Sequence, residues 1–99
     1  MTDTKVPYQL QLFVTGQGVL AKRAITNIQR ICDHDLGGQV QIEIIDILEH
    51  PQAAEDARIL ATPTLIKKLP QPLRRIIGDL TNRGVVLAAL GIPSDENLF

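Results

Sequence analysis

Half of the prolines in this chain fall in one stretch, Ile59–Leu80, which constrains the fold more than any other part of the sequence. Within it, Pro63 directly precedes the apolar run Leu65–Ile66. A proline has no backbone N–H, so a sheet accepts it most readily at the start of a strand. The bond between Thr62 and Pro63 can also be cis, which would turn the chain sharply into that strand. The pattern therefore predicts a strand that begins just after Pro63.

A second proline pair follows this predicted strand. Pro70 and Pro72 each fix φ and remove a hydrogen-bond donor, which predicts a stiff turn. The run Leu73–Ile77 then resumes an extended, partly buried conformation, and Gly78 ends it. The whole stretch predicts two consecutive strands joined by a proline turn.

The first half of the chain changes from strand to helix periodicity and back. Tyr8–Val14 places apolar side chains at alternate positions, as in a strand. From Val19 the spacing is helical, and the helix should end at Gly37-Gly38, where glycine accepts a left-handed cap. The apolar stripe comprises Leu20, Ala21, Ala24, Ile25, Ile28, Ile31 and Cys32. Val40–Leu48 is rich in β-branched residues on both faces, which favours a covered parallel strand and hence a right-handed βαβ unit.

Two further helices complete the predicted order. Pro51 suits the first turn of a short helix over Gln52–Ile59. A last helix runs roughly over Asn82–Leu90, with Thr81 as its expected N-cap and Gly91 as its stop signal. The resulting order, βαβαββα with a proline before the third strand, predicts an α/β, thioredoxin-like fold. Two helices should cover one face of the sheet and the middle helix the other.

Length and composition limit the class of protein. The 99 residues predict one domain over 1–99, with loosely held ends at about 1–6 and 94–99. The single cysteine excludes an internal disulfide and suits a reducing cytoplasm. The N-terminal region has no long apolar run, so we expect neither a signal peptide nor a membrane span.

Charge is unevenly distributed, although the net charge is only −1. Between Arg58 and Arg83 there is one acid, Asp79, and the basic residues are Arg58, Lys67, Lys68, Arg74, Arg75 and Arg83. The rest of the chain carries four basic residues against ten acidic ones. This asymmetry predicts a basic face for an acidic partner. The alternative is an ordinary solvated strand edge, where Lys and Arg prevent edge pairing.

Several segments carry a family resemblance. They are Leu10–Gly16, Ile45–Leu48, Ala61–Leu65 and Arg74–Leu80, together with Pro51, Lys67, Leu69-Pro70 and Pro72. These segments closely resemble the KaiB family, circadian-clock proteins of cyanobacteria and their bacterial relatives. The resemblance extends over nearly the whole chain, and the run from Arg74 to Leu80 is its most specific part.

The resemblance implies a non-enzymatic binding function. KaiB proteins in the thioredoxin-like form dock on the N-terminal ATPase ring of KaiC, a hexameric ATPase and kinase. They help to sequester KaiA, which promotes KaiC dephosphorylation, and they can compete with the thioredoxin-like domain of a clock histidine kinase. The matching basic positions, which we expect to contact KaiC, are Arg23, Arg58, Lys67, Arg74 and Arg75, with Lys68 a weaker addition.

The resemblance also implies a second fold. The second half of KaiB proteins interconverts between the thioredoxin-like arrangement and a βαββααβ form that assembles as a tetramer, which requires two packings of similar free energy. Pro63, Pro70 and Pro72 lie in that half. Members that populate the tetramer usually have Gly and Asp where this chain has Ala89 and Gly91. Because Ala89 favours a helix and Gly91 can cap it, we expect the monomeric thioredoxin-like form to dominate.

One motif points to nucleotide binding instead. Gly16–Ala21 fits the Gly-x-Gly-x-x-Gly/Ala pattern after a strand, and Asp46 lies where a ribose-binding acid would end the next strand. The chain is too short for both halves of a dinucleotide-binding fold. We therefore expect a strand-to-helix turn that needs a flexible glycine.

Other chemistry is not favoured by the sequence. Thioredoxin-like enzymes keep a reactive cysteine at the turn that is Gly16–Ala21 here, yet this turn has no cysteine, and Cys32 lies on the apolar stripe. A thiol or glutathione enzyme is thus disfavoured, and a stand-alone adaptor in stress or signalling remains the alternative. His34 and His50 are expected to be surface or loop residues, so we expect no metal or other cofactor. The basic cluster lacks interleaved aromatics, which argues against nucleic acid.

Overall fold

Seven helices and strands follow one another in the residues described by the computed structural model, 8–37 and 39–92. They are β1 Tyr8–Val14, α1 Val19–Asp35, β2 Val40–Asp46, α2 Pro51–Asp56, β3 Thr64–Leu69, β4 Arg74–Ile77 and α3 Arg83–Leu90. The predicted βαβαββα order is confirmed. The chain ends predicted to be loose, together with Gly38 and Pro93, lie outside the described residues.

The four strands form one sheet in the order β2-β1-β3-β4 within this part of the chain. β1 pairs parallel with β2 and antiparallel with β3, and β3 pairs antiparallel with β4. The predicted proline turn joins β3 to β4. The peptide bonds before Pro63, Pro70 and Pro72 are all cis.

Two apolar clusters lie on opposite faces of the sheet, because successive side chains of a strand alternate in direction. The larger cluster packs Leu10, Leu12 and Val14 of β1 against α1 and α3. The smaller cluster contains Phe13, with Ile45 and Ile66 from the neighbouring strands, and packs against α2. The predicted distribution of helices, two on one face and one on the other, is confirmed.

The first half of the fold differs from prediction at its edges. β2 is an edge strand that ends at Asp46 rather than Leu48, and Ile44 is 41 % exposed, so the strand is not covered on both faces as predicted. On α1, Leu20 leaves the predicted apolar stripe and is exposed. The exposure of Ile44 arises at the margin of the sheet, where periodicity alone does not show which neighbour is present.

The later helices confirm one predicted end and correct two others. Gly91 ends α3 with φ 77°, the left-handed conformation that glycine accepts readily. The N-cap of α3 is Asn82, whose side-chain oxygen accepts a hydrogen bond from the backbone N–H of Val85 at 3.1 Å. The hydroxyl of Thr81 donates to Asp79 instead, at 2.6 Å. α2 ends before the predicted Ile59, because the chain turns out of the helix where Arg58 has φ 57°.

The double substitution Ala89→Gly with Gly91→Asp tests the preference for this fold. Gly in place of Ala inside a helix costs about 1 kcal/mol, enough to change a two-state population several-fold. Asp also adopts a positive φ less readily than glycine does, so it is a poorer C-cap for α3. We expect a monomeric wild-type protein in light scattering and a shift toward the tetramer in the double variant.

Gly84→Ala is the matched control for that experiment. Gly84 lies in the first turn of α3, and an added Cβ would make only an ordinary contact with Asn82, at 3.5 Å. This change should favour α3 and move the population in the opposite direction. A wild-type tetramer with a strand at Val85–Leu90 in NMR spectra would contradict the expected preference.

Candidate partner-binding surface

Arg74 and Arg75 lie on opposite faces of the sheet. In the β3–β4 ladder Arg74 is opposite Lys67, and Arg75 is opposite Ile66. Ile66 belongs to the apolar cluster on the α2 side, so Arg75 lies on that side and Arg74 lies on the side of α1 and α3. The two arginines therefore cannot contribute equally to one flat contact surface.

Arg75 is anchored at the end of α2. Its guanidinium Nη2 donates a hydrogen bond to the backbone carbonyl of Ala57 at 2.6 Å. Ala57 is the C-cap of α2, and the last carbonyls of a helix are favourable partners for a cation. The exposed Arg58 follows directly in the chain. The contact thus places two of the predicted residues, Arg58 and Arg75, on the same side of the sheet.

Arg23 is separate from that pair and is engaged within the fold. Its Nη1 lies 3.1 Å from Oδ2 of Asp79, and the arginine side chain is 52 % exposed. The hydroxyl of Thr81 and the guanidinium of Arg23 both lower the pKa of Asp79. Asn27 adds a hydrogen bond to the backbone carbonyl of Asp79 at 2.9 Å. Arg23 therefore helps to hold the β4–α3 loop against α1, and its charge is partly neutralised.

Lys67, one of the residues predicted to contact a partner, is buried in this conformation. Only 4 % of Lys67 is exposed, and it lies on the same face of β3 as the core residue Leu65. The exposed lysine of the pair is Lys68, which lines a depression together with Gln9 and Gln11 of β1 and so lies on the α2 side. The sequence placed two adjacent lysines on one strand, and only the positions of α1 and α3 determine which of them is covered. In this conformation Lys68 replaces Lys67 as the available cation.

Asp46 stabilises the turn between β1 and α1, which contains Gly16 and Gly18. Its Oδ1 accepts hydrogen bonds from the backbone N–H of Gly16 at 2.9 Å and of Leu48 at 3.0 Å. These two donors, Gly16 first, lower the pKa of the Asp46 carboxyl. Gly16 has φ 63°, a backbone conformation that glycine adopts readily, which explains why glycine occupies this position. The Gly-x-Gly pattern and its distant acid are thus parts of one strand-to-helix turn.

Cys32 packs in the larger apolar cluster, as its place on the helical stripe predicts. Burial, together with the negative charge of Asp33, raises the pKa of its thiol to about 11. The thiolate is the nucleophilic form of cysteine, so this thiol is held in its unreactive state near neutral pH.

Two exposed apolar side chains beside the basic residues were missed by sequence reasoning. Ile77 is 68 % exposed and follows Arg75 by two positions, so it shares the same face of β4. Leu60 is 96 % exposed in the loop between α2 and β3. The available signal was the Ile76-Ile77 pair, because a strand with one covered face can bury only one of two adjacent side chains.

Two features are absent from residues 8–37 and 39–92. No three His, Cys, Asp or Glu side chains within these ranges come together as a group that could hold a metal ion. No helix in the same ranges combines the length and apolar character needed to span a membrane.

Comparison with known protein families gives a match over residues 11–92 to the KaiB domain. The chain belongs to the KaiB family. The circadian clock protein KaiB3 of Synechocystis sp. is 57 % identical over 83 residues, which cover 84 % of this chain and 81 % of that protein. The circadian clock oscillator protein KaiB of Thermostichus vulcanus is 43 % identical over 96 residues, covering 97 % and 89 % of the two chains.

Solved structures support the fold of this KaiB-family chain. The N-terminal domain of Synechococcus elongatus SasA matches with a TM-score of 0.72 and 24 % identity, covering 100 % of this chain and 95 % of that one. Mitochondrial thioredoxin 3 from Saccharomyces cerevisiae matches with a TM-score of 0.70 and 16 % identity, covering 88 % and 80 %. At these identities the likeness establishes the thioredoxin-like fold alone.

The turn at Asp46 predicts a specific pH dependence. A carboxyl whose pKa is lowered by folding stabilises the protein fully above its usual value of 3.8, and this contribution is lost as the pH falls through the lowered folded-state pKa. Asp46→Asn keeps an oxygen acceptor for Gly16 and Leu48 but cannot titrate. Urea unfolding between about pH 3 and 7 should therefore show a weaker loss of stability at acid pH in the variant than in the wild-type protein.

The comparison of the two curves isolates Asp46, since Asp79, whose pKa is also lowered, titrates in both proteins. Identical acid slopes for the wild-type protein and Asp46→Asn would contradict the assigned role of the carboxylate.

Proposed function

We propose that this KaiB-family chain is a non-enzymatic clock protein that docks on the N-terminal ATPase ring of KaiC and helps to sequester KaiA, thereby promoting KaiC dephosphorylation. The observation that carries the proposal is the placement of Arg58 and Arg75 on one side of a thioredoxin-like fold, where the Ala57 carbonyl anchors Arg75. This is the conformation in which the family resemblance implies KaiC binding. Arg23 and Arg74 complete the exposed set of predicted contact residues.

The absence of catalysis is part of the proposal. The turn Gly16–Ala21, where thioredoxin-like enzymes keep a reactive cysteine, has no cysteine in its sequence. The thiol of Cys32 is buried with a raised pKa, which disfavours nucleophilic chemistry. The carboxylate of Asp46 is used by two backbone donors of its own turn.

The same proposal extends to assembly and compartment. We place the protein in the cytoplasm as a monomer in its thioredoxin-like form, and we expect competition with a thioredoxin-like domain such as that of SasA for the KaiC ring. Likeness in fold to the SasA domain over the full chain is the supporting observation. A pull-down with a cognate KaiC tests the central claim. A folded protein that captures no KaiC would favour the alternative of a stand-alone adaptor.

Replacing Arg74 and Arg75 separately with Ala tests the basic surface. Because the two side chains lie on opposite faces, the two variants should weaken KaiC capture unequally. Stability should change little, since exposed charged groups contribute on the order of 1 kcal/mol or less. Arg30→Ala, an exposed arginine on α1 outside the predicted set, is the matched control. Equal and negligible effects at Arg74 and Arg75 would argue against a basic contact surface.

Cys32→Ser tests the non-redox assignment. A hydroxyl buried in place of a thiol should lower the free energy of unfolding by about 1–2 kcal/mol, because Cys32 acts as a small apolar side chain. KaiC capture should remain at the wild-type level. Loss of binding in a variant that retains its far-UV circular dichroism would show that the thiol has a functional role.

A further inference from the structure

A depression between the end of α1 and the start of α3 lies apart from the predicted partner contacts. It has a volume of about 420 Å³ and is lined by Arg30, Ile31, His34, Asp35 and Arg83. Pockets that bind small molecules typically measure about 300–1,000 Å³. The depression is therefore large enough for a small ligand, and all but one of its lining side chains can carry a charge.

The acid that lines this depression is already neutralised by the fold. Nε and Nη2 of Arg83 both donate to the carboxylate of Asp35, whose side chain is only 10 % exposed. Asp35 ends α1 and Arg83 begins α3, so each charge lies at the helix end that its sign disfavours, and the pair offsets both costs. The repulsion between Asp35 and an incoming anion is thereby reduced.

Arg30 and His34 bring to the depression hydrogen-bond donors that the fold does not use. They are four positions apart on α1, so the two side chains lie on one face with Cβ atoms about 6 Å apart. Both are exposed, and within residues 8–37 and 39–92 neither side chain forms a hydrogen bond or ion pair with the protein. A guanidinium offers five N–H donors in a planar fork, and an imidazole offers at least one.

The other negative groups near this end of α1 are directed elsewhere or are capped. Asp33 lines a separate depression, beside Val40 of β2. The carbonyl groups at the end of a helix carry partial negative charge, but the backbone N–H of Leu36 donates to the carbonyl of Ile31 at 3.3 Å. The charge of Arg30 is therefore not cancelled locally, and the depression presents net positive charge.

We propose that this depression binds a phosphate group, either as inorganic phosphate or as the phosphate monoester of a small metabolite. The guanidinium of Arg30 contacts two phosphate oxygens, a bidentate arrangement that is frequent between arginine and phosphate, and His34 donates to a third oxygen. The Arg83–Asp35 pair forms the wall on the α3 side. Because the lining comes from both helices, an occupant stabilises the packing of α3 against α1 by mass action. The proposal does not depend on KaiC binding.

Titration of the full chain with sodium phosphate, followed by NMR at constant ionic strength and neutral pH, tests the site. The amide signals of Arg30, Ile31 and His34 should shift and saturate, whereas sodium chloride should give no saturable shift. Arg30→Gln should raise the Kd about tenfold or more, and His34→Gln about threefold, since each removes a phosphate contact. Lys22→Gln, an exposed cation about 12 Å along the same helix, is the matched control and should change the Kd by less than about twofold.

A parallel titration with glycerol phosphate separates the two sources of the phosphate group. Tighter binding of this ester than of the inorganic ion would assign the site to a phosphorylated metabolite, and the reverse order would assign it to free phosphate. The absence of saturable shifts with both ligands, or equal losses of affinity in Arg30→Gln and Lys22→Gln, would overturn the proposal.

Thermal unfolding gives a second, independent measurement. Phosphate at about ten times its Kd should raise the Tm of the wild-type protein and of Lys22→Gln by about 5 °C or more, and it should leave the Tm of Arg30→Gln nearly unchanged. Equal increases in all three proteins would show a general salt effect and would overturn the site.

Discussion

Strand β1 is the element on which both apolar clusters depend. It lies between β2 and β3, and its side chains alternate between the two cores. Leu12 is fully buried on one face and Phe13 on the other. Since burial of a large apolar side chain stabilises a fold by about 1.5–3 kcal/mol, the loss of either would remove support from helices on one whole side. The register of β1 with β3 also fixes where the second half of the chain lies.

The second half of the chain packs against α1 through apolar and polar contacts, which contribute unequally to stability. Val86, Leu87 and Leu90 of α3 are buried in the larger cluster. At the rim, Arg83 pairs with Asp35, a carboxylate with little exposed surface, and Arg23 pairs with Asp79. An exposed pair contributes about 0–1 kcal/mol, so the three buried apolar side chains contribute more to the position of α3 than the pair of Arg23 with Asp79 does.

Local patterns in the sequence were sufficient to predict the order of helices and strands, because each pattern depends on residues that are neighbours in the chain. The alternation over Tyr8–Val14 and the glycine at position 91 required no tertiary information, and the structure confirms both. The burial of Lys67 and the exposure of Ile44 were not predictable in this way, since each depends on which element lies opposite in space. The N-cap was misassigned to Thr81 for a related reason: both Thr81 and Asn82 can cap a helix, and the competing acceptor Asp79 decides between them.

The site shows the same division between local pattern and spatial arrangement. The opposite directions of Arg74 and Arg75 follow from strand geometry, but the contact of Arg75 with Ala57 depends on where α2 ends. This contact also bears on the alternative that basic residues merely protect an edge. β4 is an edge strand, and an exposed charge at Arg74 or Arg75 discourages edge pairing wherever its side chain points. Edge protection does not require that a guanidinium be immobilised. A side chain with about 2 kcal/mol of rotamer entropy loses freedom when it is anchored, and binding then costs less. The bond from Arg75 to the Ala57 carbonyl therefore ties β4 to the end of α2, a structural role that edge protection alone does not explain.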